Sequence, residues 1–369
     1  SIEAKRCGVH TGTKVYEARR LCPRLIAVPA RHDVYVEYHH RVLNEIERHL
    51  HVTRVESIDE AACRLMGSEC LTENAVALAR RIQAGILKNV GCCLHASVGL
   101  APSALLAKIA SDMQKPAGLT MLGADRLPQA ILGLELTDLA GIGRNMRLRL
   151  QMAGIFRVED FWALTPSRAR AAWGGIQGER FWYALHGIDP PEIETATQSI
   201  SHSHVLGPEL RNAQAAHGMA RKLVARAATR MRRAGYKAGA FGLWLKTEDG
   251  AKRETAVRLP HTADSFALLA VFEELWRDLV AEGEKPPVRH VGIVLSDLVE
   301  TATIAPDLFG WTPDGGERKD RLNLSEAIDR INLRYGRDAV AIGTEPAGAS
   351  PYMGAKVAFN RIPQRKDFS

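Results

Sequence analysis

The succession of strand and helix patterns between residues 198 and 295 constrains the fold of this chain more than any other feature of its sequence. Alternating apolar residues indicate strands, four-residue periodicity indicates helices, and Glu248-Asp249-Gly250 predicts a hairpin turn. In chain order we expect a strand over 198–205, a helix over 212–234, strands over 237–246 and 252–259, a helix over 264–281 and a strand over 288–295. This order predicts a β-α-β-β-α-β unit in a protein of mixed α and β structure.

The positive charge of the chain is concentrated in that same unit. Between Arg211 and Arg258 there are twelve basic and three acidic residues, whereas the whole chain has a net charge of only +7. Basic residues gathered on one module are typical of a protein that binds a polyanion, because each phosphate contact releases counterions. A solvated helix face would give the same run of charges. Composition leaves both interpretations open.

Length and composition exclude several classes of protein. At about 150 residues per domain, 369 residues predict two or three domains. A hydrophobic fraction of 46% with 25% charged residues excludes a disordered, collagen-like or coiled-coil chain. No apolar stretch could span a membrane and no export signal is visible, so we expect a soluble cytoplasmic protein. Its six cysteines form no Cys-x-x-Cys pair, which predicts reduced thiols.

The first 190 residues combine helices with short strands. In chain order we expect helices over 33–50 and 72–88, a strand over 97–100, a helix over 102–113 and helices broken by glycine turns over 134–164. Thr72 is the expected N-cap of the second helix, and Pro102 is the expected first residue of the third. The pair Pro190-Pro191 indicates a linker between domains.

An acidic pair, Asp59-Glu60, lies at the end of a β stretch between the first two predicted helices. Carboxylates in such a place can hold Mg²⁺, which takes oxygen ligands. Neighbouring strand residues point to opposite faces, so both acids could serve one site only at a hairpin tip or a bend. The alternative is a solvated turn, because one Asp-Glu dipeptide is expected by chance in a chain of this length.

A second candidate site is Gly141-Ile142-Gly143-Arg144, which opens a predicted helix. A Gly-x-Gly turn at a helix N-terminus exposes backbone N–H groups that can hold a phosphate. An ordinary turn between two helices would show the same pattern. Any nucleic-acid contact made here would grip the phosphate backbone without reading bases.

Two lysines, Lys108 and Lys115, lie on or just beyond the helix predicted after Pro102. Lysines near a helix C-terminus are commonly solvated and are favoured by the helix dipole. The functional alternative is a clamp for a triphosphate. His202 and His204 share one face of a predicted strand, but no third ligand accompanies them, so we expect no metal there.

Together these segments resemble the Y-family translesion DNA polymerases, in particular the polymerase IV-like group, from the first residue to about residue 300. Residues 1–9 are similar to the fingers motif of that family, and residues 57–61 are similar to its palm metal motif. The closest match is 98–112 followed by Lys115-Pro116-Ala117-Gly118. Residues 141–143 resemble the helix-hairpin-helix of the thumb, and the basic β-α-β-β-α-β unit resembles the little finger.

The resemblance implies an α+β, multidomain right-hand polymerase fold. Its expected parts are a remainder of the fingers over 1–30, the palm over 31–122, the helix-hairpin-helix thumb over 123–190, the DNA-binding little finger over 191–300 and a C-terminal extension of unknown role over 301–369.

The resemblance also implies low-fidelity translesion synthesis in DNA repair and damage tolerance, with primer-template DNA and deoxynucleoside triphosphates as partners, at the nucleoid in the cytoplasm. Two Mg²⁺ ions would be held by Asp59 and Glu60, the catalytic residues. Lys5 and Lys115 would bind the incoming nucleotide. The residues expected to contact DNA are Gly141, Gly143, Arg144, Ser199, Ser201, Ser203, Arg221, Arg230, Lys237 and Lys246.

Two departures from the family pattern concern the active site. The first metal-binding aspartate of the family lies upstream of its fingers motif, and this sequence begins inside that motif. The Tyr and Arg of the triphosphate motif are here Ile2 and Lys5, so a hydroxyl is missing and a bidentate guanidinium is replaced by a point charge. We therefore expect part of an active polymerase. The alternative is a non-catalytic DNA-binding accessory protein of the same fold.

The residues after 300 give two further expectations. A helix is predicted over 325–335, with Leu324 and Ile328 as a hydrophobic staple at its start. Asp307, Leu308 and Phe309 belong to a segment that resembles the peptides by which these polymerases bind the sliding clamp. The alternative is a loop that packs its two apolar residues on its own domain.

Overall fold

The described residues divide into two units. The structure is a computed structural model that describes residues 1–191, 197–280, 287–303, 315–336 and 339–343. The first unit ends and the second begins between residues 191 and 197. Within these ranges, no helix is both long and apolar enough to cross a membrane.

The first unit is mainly helical, with two separate pairs of short strands. Its elements are α1 (Ile2–Arg6), α2 (Val15–Leu21), α3 (His32–Glu47), β1 (Val52–Val55), β2 (Ala61–Cys63), α4 (Thr72–Gly85), β3 (Val98–Leu100), α5 (Ala104–Met113), β4 (Leu119–Met121), α6 (Arg144–Met152), α7 (Val158–Trp162), α8 (Pro166–Trp173) and α9 (Ile176–Leu185). Strands β1 and β2 form an antiparallel hairpin, and β3 pairs with β4 in parallel.

Two apolar clusters support these elements. Leu78 and Ile82 of α4 pack with Val42 and Ile46 of α3, as the four-residue periodicity of both helices predicts. Helix α5 lies in a second cluster with α6 to α9, where Leu106 is fully buried. This second cluster fixes the position of α5 in the unit.

The starts of α4 and α5 differ from the predicted ones. Thr72 is the first helical residue of α4 and not its N-cap, because Leu71 takes the extended cap conformation without a side-chain bond. Pro102 precedes α5, whose N-cap is Ser103. The Ser103 hydroxyl accepts from the Leu106 N–H at 3.2 Å and donates to the Ala184 carbonyl at 2.6 Å. This hydroxyl therefore sets the start of the helix at Ala104, two residues beyond the proline.

The second unit confirms the predicted β-α-β-β-α-β order. Its elements are β5 (Ser199–Val205), α10 (Ala213–Arg233), β6 (Tyr236–Thr247), β7 (Lys252–Thr262), α11 (Ser265–Val280), β8 (Val288–Glu300) and α12 (Gly315–Tyr335). The strands form one antiparallel sheet in the order β5-β8-β6-β7. Helices α10 and α11 pack on the face that carries Ile200, Phe241 and Ile293, all of which are buried.

The C-terminal helix α12 is longer than predicted. Within the second unit, polar contacts attach it to α10. Because α12 starts at residue 315, Leu324 and Ile328 lie inside it, and the predicted hydrophobic staple is wrong. Asp329 accepts from Arg232 Nε and from Thr229 Oγ1, both at 2.7 Å. Since Arg232 and Asp329 are only 8% and 15% exposed, this ion pair joins α12 firmly to α10.

Candidate functional site

The two predicted catalytic acids lie at the tip of the β1-β2 hairpin. The N–H groups of Glu56 and Ser57 donate to the Glu60 carbonyl at 2.9 and 3.2 Å, which closes the loop between the strands. The Ser57 hydroxyl donates to Asp59 Oδ1 at 2.7 Å. A hairpin tip is one of the two arrangements that allow adjacent acids to serve one site, so the backbone meets this condition, and a shared metal site stays a prediction.

A buried histidine anchors this tip to the helix behind it. His39, on α3, is 5% exposed, and its Nδ1 lies 2.7 Å from the Ile58 carbonyl. Burial lowers the pKa of His39, although the bond to Ile58 opposes this effect, so the ring is neutral at neutral pH. A carbonyl only accepts, hence Nδ1 carries the proton and donates. The histidine fixes the backbone between the Ser57 and Asp59 side chains.

A chain of alternating charges joins the hairpin to α5. Lys108 Nζ lies 2.6 Å from Glu60 Oε1 and 2.9 Å from Asp112 Oδ2. Lys115 Nζ lies 2.5 Å from Asp112 Oδ1. We call Glu60, Lys108, Asp112 and Lys115 the charge chain. Through it the predicted nucleotide-binding Lys115 is connected to the predicted metal ligand Glu60.

The charged forms of the charge chain stabilise one another. Burial disfavours the Lys108 ammonium, but the hydrogen bonds with Glu60 and Asp112 outweigh it and raise the pKa of Lys108. Burial also works against the Asp112 carboxylate, yet the bonds from Lys115 and Lys108 hold the pKa of Asp112 below its ordinary value. Lys5, exposed on α1, makes no hydrogen bond or ion pair with the charge chain in the described ranges.

The contacts of Asp112 and of His39 were not predicted from the sequence. The spacing of Asp112, four residues after Lys108 and three before Lys115, favours ion pairs on one helix face and could have indicated its role. His39 carries no comparable signal, because its partner Ile58 is brought to it only by the packing of the hairpin on α3.

The donor atoms at the tip suit a hard divalent cation. Asp59 and Glu60 offer carboxylate oxygens, and Mg²⁺ in proteins is usually held by one or two carboxylates while water and substrate phosphates complete its shell. Within the described ranges, no cluster of three or more His, Cys, Asp or Glu side chains is arranged to hold a metal ion. By the chemistry of their oxygen atoms, Asp59 and Glu60 are suitable ligands for Mg²⁺.

The glycine turn before α6 presents unused backbone donors. Gly141 has φ +99°, a conformation that favours glycine, and Ile142 is buried beside it. Gly143 is the N-cap of α6 and has no side chain to cap the helix, and no side chain of the described residues does so in its place. The first N–H groups of α6 are thus open to a ligand next to the exposed Arg144. A helix N-terminus with free N–H groups can bind a phosphate, so the geometry is compatible with the predicted role.

The sheet of the second unit has one face turned away from α10 and α11, which we call the open face. Residues directly opposite in register share a face, so the predicted serines Ser199, Ser201 and Ser203 lie on it together with Lys246. The open face consists of Ser199, Ser201, Ser203, Val205, Ala240, Gly242, Trp244, Lys246, Lys252, Glu254, Ala256, Arg258, His290, Gly292, Val294 and Ser296.

The predicted basic contacts are divided between the two layers of the unit. On β6 the register is irregular between Ala238 and Ala240, and Ala238 lies in the core under the helices, so the neighbouring Lys237 points away from the helices, like Lys246. Arg221 and Arg230 lie on α10, in the helix layer. Arg221 pairs with Glu273 of α11. Asp307, Leu308 and Phe309 lie outside the described residues.

Comparison with known proteins matches both units. The model of the impB/mucB/samB family matches residues 1–112, and the model of its C-terminal domain matches residues 197–308. The DNA polymerase IV of Moorella thermoacetica is 32% identical over 365 residues, which cover 96% of this chain and 87% of that protein. The DNA polymerase IV of Pelotomaculum thermopropionicum is 32% identical over 359 residues, which cover 94% and 86%.

A solved structure shares the fold. A Y-family DNA polymerase chimera superposes with a TM-score of 0.64 over 81% of this chain and 86% of the chimera, at 24% identity. None of these findings supports the non-catalytic alternative. They confirm the predicted fold class and the resemblance on which it was based. The chain belongs to the Y family of DNA polymerases, in its polymerase IV-like group.

Proposed function

We propose that this chain is a DNA-directed DNA polymerase that adds deoxynucleotides to a primer with low fidelity, in translesion synthesis during DNA repair and damage tolerance. The observation that carries the proposal is the placing of Asp59 and Glu60 at one hairpin tip, connected by the charge chain to Lys115. The polymerase IV relatives support it, since their similarity extends over nearly the whole chain.

Asp59 and Glu60 are the proposed ligands of two Mg²⁺ ions. When bound, such ions activate the primer hydroxyl and stabilise the leaving pyrophosphate. The protein holds the two carboxylates through His39, which donates to the Ile58 carbonyl, and through Ser57, which donates to Asp59. Both contacts are made before any substrate arrives, so the hairpin does not need to be ordered during the reaction.

Lys115 and Lys5 are the proposed cations for the triphosphate. Lys115 is 57% exposed while its ammonium contacts Asp112, so it can reach an anion without leaving the vicinity of the hairpin. Lys5 is exposed on the short helix α1. Both are point charges, which attract phosphate without the bidentate geometry of an arginine.

In the first unit, the proposed binding site for a DNA phosphate is the glycine turn at Gly141 and Gly143, together with Arg144. In the second unit the open face supplies hydroxyls and small side chains, which let a backbone approach closely, and lysines at its margin. Phosphate contacts of this kind position DNA without reading its sequence. They suit an enzyme that must accept a damaged template.

We assign the parts of the polymerase fold accordingly, with the enzyme acting on DNA in the cytoplasm, at the nucleoid. The proposed parts are the fingers remainder over 1–30, the palm over 31–122, the thumb over 123–190, the little finger over 191–300 and the C-terminal extension over 301–369. The binding of a sliding clamp through Asp307, Leu308 and Phe309 stays a prediction.

Primer extension tests this function. The full 369-residue chain is incubated with Mg²⁺, labelled primer-template and one deoxynucleotide, beside Asp59→Ala and a matched control, Asp278→Ala, on the exposed side of α11. We expect extension by the wild type and by the control, and none by Asp59→Ala, while fluorescence anisotropy shows equal DNA binding by all three. DNA binding without extension by the wild-type chain would contradict the proposal.

A further inference from the structure

The carboxylate of Glu60 already has a cation of its own. Lys108 Nζ lies 2.6 Å from Glu60 Oε1, a charge-assisted hydrogen bond across two separate elements. The two side chains are 32% and 39% exposed, so water and ions can reach the pair. Any divalent ion that binds Glu60 therefore competes with an ammonium group that is held there by the fold.

Lys108 has a second acceptor within reach. Asp112, one turn further along α5, accepts from the same Nζ at 2.9 Å, and this contact lies within one rigid helix. Asp112 binds Lys115 through its other oxygen, so its carboxylate accepts two cations at once. Lys108 can therefore release Glu60 and keep its charge neutralised by Asp112.

We propose that Lys108 is a positioning residue that holds Glu60 in place while the metal site is empty and gives this carboxylate up when a divalent ion binds. The inference rests on the proposed function, because it takes Glu60 to be a metal ligand. It has two consequences. Lys108 keeps Glu60 oriented before metal binding, and its charge weakens the affinity of the site for the metal.

Binding of Mn²⁺, followed by the electron paramagnetic resonance signal of the free ion, tests this inference without reference to catalysis. The proteins are the full wild-type chain, Lys108→Met, Lys108→Gln and Lys108→Arg, with Lys88→Met as a control at an exposed lysine after α4. We expect Lys108→Met and Lys108→Gln to bind Mn²⁺ roughly tenfold tighter, the order expected when a positive charge beside a divalent ion is removed in water-accessible surroundings. Lys108→Arg and Lys88→Met should bind like the wild type.

A second pair of variants assigns the effect to Glu60. In a Glu60→Gln background, Lys108→Met should tighten binding by clearly less than in the wild-type background, because the carboxylate for which the two cations compete is gone and only the repulsion between Lys108 and the ion remains. Equal or weaker Mn²⁺ binding by both Lys108→Met and Lys108→Gln would overturn the inference, and so would a gain of undiminished size beside Glu60→Gln. Failure of every protein, the wild type included, to bind Mn²⁺ would overturn the proposed metal site, and with it the inference.

Discussion

Replacing Gly99 by alanine should displace the helix that carries half of the charge chain. Gly99 lies in β3 directly beneath α5, where an added Cβ would lie 1.9 Å from the Ala107 carbonyl oxygen and 2.6 Å from the Ser111 nitrogen. Both are backbone atoms, so no change of rotamer can relieve the clash. Since real Cβ contacts hardly occur below 3.0 Å, α5 must move by about 1 Å.

The expected size of the effect follows from what α5 buries. Leu106 and Ile109 are 0% and 1% exposed, so a shift of α5 opens a well-packed core, and we expect a loss of about 2–3 kcal/mol in the free energy of unfolding. For a unit of this size that corresponds to a melting temperature lower by roughly 4–12 °C. Because the shift also moves Lys108, primer extension should fall by up to about a hundredfold.

Calorimetry of Gly99→Ala beside Gly133→Ala measures this effect. An added Cβ at Gly133 meets no atom within 4 Å, so this control changes a glycine to alanine without a clash. Extension is measured on the same preparations. Equal melting temperatures of the two variants would refute the claim that backbone contact, and not glycine itself, governs position 99.

Two further predictions concern the hairpin and the charge chain. His39→Ala leaves the Ile58 carbonyl without its buried donor, so we expect a lower kcat for nucleotide addition with little change in the DNA dissociation constant, measured by single-turnover extension and anisotropy. For Asp112, a pKa held below the ordinary value of 3.8 by Lys115 and Lys108 means that its stabilisation is complete above about pH 4 and is lost as the pH falls through the lowered value. Asp112→Asn should therefore be less stable than the wild type at pH 6, and the difference should shrink on acidification. A difference in unfolding midpoint that is the same at every pH would contradict this account.

Local sequence patterns predicted the second unit well because the apolar residues recur at every second position in its strands and at helical spacing in its helices. The strands and helices between 198 and 295 were predicted in the right order, although β8 continues to Glu300. The sequence also indicated that Asp59 and Glu60 needed a hairpin tip or a bend to act together, and they lie at a tip. These features depend on neighbours in the chain, which a single sequence displays.

The contacts that complete the site could not be predicted because they join distant parts of the chain. Lys108 was placed on its helix but not opposite Glu60, and His39 was not placed beneath Ile58. The start of α12 was missed for a related reason. The two glycines at its beginning have a low helix propensity, and the ion pair of Asp329 with Arg232 that binds the helix to α10 joins residues distant in the sequence.

The distribution of charge in the second unit changes what its basic composition means for DNA binding. From the sequence, the excess between Arg211 and Arg258 could mark a surface for a polyanion or a solvated helix face. In the structure, Arg221 and Arg232 form ion pairs with acids of α11 and α12 in the helix layer. The salt dependence of DNA affinity counts only the charges that neutralise phosphates. We therefore expect the open face, with Lys246, to determine that dependence, and the arginines of the helix layer that pair with acids to contribute mainly to the packing of the unit.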